Sequence, residues 1–84
     1  MQLSDEKIAE LISGKVFELT YKRVSSADEE LVEKGVLTSI TMVELAVALE
    51  RELAISISFM EINKDNFKSV NTIKDLLQKI IATK

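Results

Sequence analysis

The 84-residue chain contains no histidine and no cysteine, so the usual general base, thiol nucleophile and metal ligands are missing and a conventional enzyme is hard to build. Its net charge of -3 is unevenly spread, with acidic residues twice as numerous as basic ones up to Glu61 and the balance reversed beyond it; such an acidic surface repels nucleic acid and attracts basic protein partners. The chain reads as one small domain over residues 1–84, held by close helix packing without disulfides.

The start, Met1-Gln2-Leu3-Ser4-Asp5-Glu6, has neither the basic region nor the apolar run of a signal peptide. No stretch approaches the roughly 20 apolar residues that span a bilayer. The expectation is a cytoplasmic protein with no membrane insertion, which the absence of cysteine also suits. From Ser4, an N-cap, Ile8, Leu11, Ile12, Val16 and Leu19 recur at helical spacing, which predicts a helix from about Asp5 to Tyr21. Gly14 interrupts it at a cost of about 1 kcal/mol against alanine, marking either close backbone packing or a weak point.

Residues Lys22 to Thr38 lose this pattern and gather serine, aspartate and glutamate, the makeup of a long surface connection that Leu31 and Leu37 pin to the core. A loop of this length is uncommon unless it is functional or contains a short turn of helix. A second helix, about Ser39 to Leu53, has apolar residues on two sides. Met42, Leu45, Ala46, Leu49 and Leu53 form one stripe; Ile40, Val43 and Val47 form another, flanked by Glu44 and Arg51. The second stripe fits either a helix buried on both sides or a patch that partner proteins read.

Ala54-Ile55-Ser56-Ile57-Ser58 alternates like a strand but has no second strand to pair with, so it reads as an extended connection burying Ile55 and Ile57. Ser58 caps a short helix over about Phe59 to Ile62, a polar turn follows, and Phe67 returns to the core. The aromatic residues read as packing residues. Ser69 or Asn71 caps a last helix carrying Val70, Ile73, Leu76, Leu77, Ile80 and Ile81 through to about Ala82. The fold class is therefore all-α, a small antiparallel bundle of three main helices plus one short helix with a long first loop.

The run Gly35-Val36-Leu37-Thr38-Ser39-Ile40-Thr41-Met42-Val43-Glu44-Leu45 sets a serine behind a glycine turn and ahead of an amphipathic helix. With the helix order and loop lengths around it, over about Leu31 to Ile80, this resembles the attachment-site motif of acyl and peptidyl carrier proteins. In that family an aspartate precedes the serine and a leucine or methionine follows; here Thr38 replaces the aspartate, Ile40 takes the apolar position, and Val43, Glu44 and Leu45 match the end of the motif. Gly35-Val36-Leu37 and Asn66-Phe67-Lys68-Ser69-Val70 followed by Ile73 look most like the D-alanyl and peptidyl carrier branches.

The resemblance implies a carrier that holds an acyl or aminoacyl group as a thioester on a covalent 4'-phosphopantetheine arm, derived from coenzyme A, at Ser39. It implies docking through Ile40, Val43, Glu44 and Val47, with a phosphopantetheinyl transferase and acyl- or aminoacyl-loading and downstream transferase or synthase enzymes as partners; a monomer is expected. Arg51 stands on a surface that carrier helices often keep acidic, which suggests partners other than the common fatty acid synthase enzymes. The alternative is an unmodified helical interaction module that binds through the same helix. An enzyme is the weakest reading, because Glu44 and Glu50 look solvated and nothing orients them.

Overall fold

Helix α1, Asp5–Thr20, starts where the Ser4 hydroxyl accepts the Lys7 N–H at 3.2 Å, with Asp5 and Glu6 in the first turn beside the positive end of the helix dipole. The computed structural model describes residues 4–83. The helix stops one residue before the sequence pattern suggests. Tyr21 takes the left-handed conformation at φ 60° and its N–H returns to the Phe17 carbonyl at 2.7 Å, closing the helix as a C-cap. Ile8, Ile12 and Val16 face inward, and α1 packs against both α2, Ser39–Leu53, and α3, Val70–Ala82.

One core joins them. Met42, Leu45, Ala46 and Leu49 of α2 and Val70, Ile73, Leu76 and Leu77 of α3 cluster with the α1 stripe, each large side chain contributing about 1.5–3 kcal/mol on full burial. The Asp5 carboxylate accepts a hydrogen bond from the Gln78 side chain, so α1 and α3 run antiparallel. Lys15 bridges α1 to the last turn of α2 through Glu52 at 3.0 Å and holds Glu18 at 3.3 Å, and these two carboxylates raise its pKa. Among the described residues there is no strand, as an all-α bundle requires, and no helix is long and apolar enough to cross a membrane.

The long first loop is held, not loose. Leu31 and Leu37 are buried, and a short turn leads from one to the other, in which the Lys34 N–H reaches Glu30 O at 3.1 Å and the Gly35 N–H reaches Val32 O at 3.1 Å. The loop is tied to the start of α3 by Leu31 N–H to Lys68 O at 2.8 Å, Asn71 N–H to Ala27 O at 3.0 Å, and a Lys68–Glu30 ion pair at 3.5 Å. Within it, Ser25 N–H donates to the Glu29 carboxylate and holds that pKa below the ordinary value. A depressed carboxylate contributes above its unfolded pKa and loses that contribution as pH falls through the folded one. The Ser25 amide shift in an NMR titration should therefore turn over at a pH below that of an ordinary glutamate and stay flat in Glu29→Gln; a turnover at the ordinary value would mean the bond does not form.

After α2, Ala54 at φ 53° turns the chain, and the extended connection runs as expected with Ile55 and Ile57 buried. Glu50 corrects the sequence reading. Far from being only solvated, its carboxylate accepts the Ile57 N–H at 2.7 Å and fixes this connection against α2. Ser58 caps the short helix, a 3-10 turn over Phe59–Glu61 that ends just before Ile62. Ser69, not Asn71, caps α3: it exchanges bonds with Thr72 at 3.3 and 3.0 Å, while Asn71 serves the first loop.

The aromatic residues are the second correction. Phe67 is fully buried, but Phe17, Tyr21 and Phe59 are exposed. Phe17 falls off the Ile8, Ile12 and Val16 stripe and lies under the Arg23 guanidinium at 5.2 Å, Tyr21 sits on the helix cap, and Phe59 opens the 3-10 turn on the surface. Gly14 is settled as a weak point, since a Cβ there meets nothing within 4 Å. Gly14→Ala should stabilise the fold by about 1 kcal/mol; an unchanged or lower urea midpoint would contradict this.

Candidate functional site

The start of α2 is placed by three local devices. Gly35 turns the chain at φ 76°, a left-handed conformation that a side chain would strain. Leu37 is buried two residues before the helix and anchors the approach. Thr38, extended at φ -100° and ψ 176°, then forms a reciprocal cap with Thr41: the Thr41 N–H donates to the Thr38 hydroxyl at 3.2 Å and the Thr38 N–H donates to the Thr41 hydroxyl at 2.6 Å.

This arrangement makes Ser39 the first helical residue and frees it from capping. The residue is exposed, and among the described residues no hydrogen bond engages its hydroxyl. The first turn carries no acidic side chain. With no base bonded to it, the hydroxyl has the ordinary reactivity of a serine. Among the described residues no group of three or more His, Cys, Asp or Glu could hold a metal ion.

Beside Ser39 lies an apolar stripe on the solvent side of the helix. Ile40 is 73 % exposed, and Val43 and Val47 are each 40 % exposed, whereas Met42, Leu45, Ala46 and Leu49 on the other side are buried. A helix buried on both sides is therefore excluded for α2. Its buried face packs against α1, which also contacts α3. Glu44 is exposed within the same stripe, so Ile40, Val43, Glu44 and Val47 share one surface, and Arg51 is exposed one turn further on.

Sequence reasoning missed a second exposed apolar pair, Phe59 and Met60 on the 3-10 turn, at 79 and 82 % exposure. The available signal was a capping serine followed by two large apolar residues with no helical repeat after them. An open groove of about 590 Å³ between the extended connection and α3, lined by Ser58, Glu61, Asp65, Thr72, Asp75 and Lys79 among others, does not include Ser39 or its stripe.

A family model described as a phosphopantetheine attachment site matches residues 6–80, from the first turn of α1 to the last turns of α3. No curated protein and no solved structure matches the chain.

Proposed function

The chain belongs to the phosphopantetheine attachment-site family, whose members carry a covalent 4'-phosphopantetheine group, and on that premise we propose that Ser39 is its attachment point and that the protein is a carrier of acyl or aminoacyl cargo. The observation that supports this most is the exposed, unengaged hydroxyl of Ser39 at the first position of α2, inside the matched span. The residues fit the group: the hydroxyl is accessible, the helix start tolerates an anion, and no neighbouring carboxylate in the first turn opposes one.

In the modification, the Ser39 Oγ gives its proton to a base on the transferase and bonds to the pantetheine-side phosphorus of coenzyme A, whose pyrophosphate linkage breaks to release the nucleotide portion. When bound, the group supplies a terminal thiol that holds the cargo as a thioester. The chain's own contribution is presentation: tethering replaces diffusion with a high effective concentration at each enzyme on which the domain docks. Ile40, Val43 and Val47 form the docking stripe and Glu44 adds a charge contact, since a few apolar anchors dominate a small interface.

The partners of this reading are a phosphopantetheinyl transferase and the loading and downstream enzymes, and the protein itself catalyses nothing. Gly35-Val36-Leu37 and Asn66-Phe67-Lys68-Ser69-Val70 favour the D-alanyl or peptidyl type of carrier, acting as a monomer in the cytoplasm. Incubation with coenzyme A and a broad-specificity transferase should raise the intact mass by one phosphopantetheine. An unchanged mass with several active transferases would favour an unmodified interaction module.

A further inference from the structure

We propose that the neutral cap at Thr38 leaves the positive end of α2 to the anion carried on Ser39, so that modification stabilises the helix; this rests on Ser39 being the attachment point. Thr38 and Thr41 satisfy each other through the reciprocal cap, and the Met42 N–H reaches the Thr38 carbonyl at 2.9 Å. The backbone N–H groups of Ser39 and Ile40 remain, and neither has a partner among the described residues. Both belong to exposed residues.

The three helix starts differ. In α1 the dipole is met by Asp5 and Glu6. In α3 the Ser69–Thr72 cap is just as neutral, but Ser69 and Val70 are 5 and 1 % exposed, so an anion could not reach that end without losing its hydration. Only α2 among the three combines a neutral cap, a first turn without carboxylates and an exposed hydroxyl. A phosphodiester on Ser39 Oγ brings one negative charge and acceptor oxygens beside the two unused N–H groups, where charge-assisted hydrogen bonds form. An aspartate at position 38 would supply such a charge before modification and repel the second one afterwards.

The test is urea unfolding of unmodified and modified protein for the wild type, Thr38→Asp and Thr38→Asn, with the modified serine located by peptide mass. In the wild type the midpoint should rise on modification, and the rise should shrink as salt is added, because the dipole interaction is screened. Thr38→Asp should raise the midpoint of the unmodified form and reduce or reverse the gain on modification, whereas Thr38→Asn, a neutral cap, should keep the wild-type gain. Equal gains in the wild type and Thr38→Asp, or no gain in the wild type, with the group located on Ser39, would overturn this inference alone. The group located on another serine would overturn the attachment reading and this inference with it.

Discussion

Leu49→Ala should lower the stability of the fold by about 2–5 kcal/mol, a large share of what so small a domain has, whereas Val47→Ala, two positions away on the same helix, should cost far less. Leu49 is completely buried in the core shared with α1 and α3, so truncation leaves a cavity that the packed helices close only in part. Val47 is 40 % exposed, and water fills the space its methyl groups leave. Its loss should appear instead as a slower initial rate of modification, because an anchor of the proposed docking stripe is gone. Urea midpoints and transferase rates for both variants check this. Comparable destabilisation would place Val47 in the core and remove the docking stripe.

Ser39→Ala should abolish the mass gain on incubation with coenzyme A and a transferase while leaving the unfolding midpoint almost unchanged. The loss is complete because alanine has no oxygen to bond to phosphorus. The small structural effect follows from the cap geometry: the hydroxyl that accepts the Thr41 N–H belongs to Thr38, so the roughly 1 kcal/mol typical of a lost N-cap does not apply to Ser39. A clear fall in the midpoint would mean that the Ser39 hydroxyl serves the fold.

Much of the fold was legible because helix formation here depends on local signals that sequence displays directly. Ser4, Ser58 and Ser69 each cap the helix they precede, and the spacing of Ile8, Ile12 and Val16, or of Val70, Ile73 and Leu77, names the buried face without reference to partners. The start of α2 was equally plain, since Thr38 and Ser39 open the second apolar repeat. Features set by tertiary contacts were not. The Glu50 carboxylate finds the Ile57 N–H only because the chain reverses at Ala54, and Asn71 is drawn from capping by Ala27 and Asp28, distant in sequence. Phe59 and Met60 are apolar by type and exposed by placement, and composition cannot separate the two. At the start of α2, sequence offered Ser39 and the apolar stripe as candidates, but not that Thr38 and Thr41 close on each other and leave the serine hydroxyl unengaged.

On the proposed reading, one hydroxyl among the chain's serines and threonines, that of Ser39, carries the phosphopantetheine group. Peptide mapping of the wild-type protein after modification, by tandem mass spectrometry that retains the phosphodiester, tests it most directly. A single modified peptide should result, with the added mass on Ser39 and none on Thr38, Thr41 or the capping serines Ser4, Ser58 and Ser69. Added mass on any of those residues instead of Ser39 would contradict it.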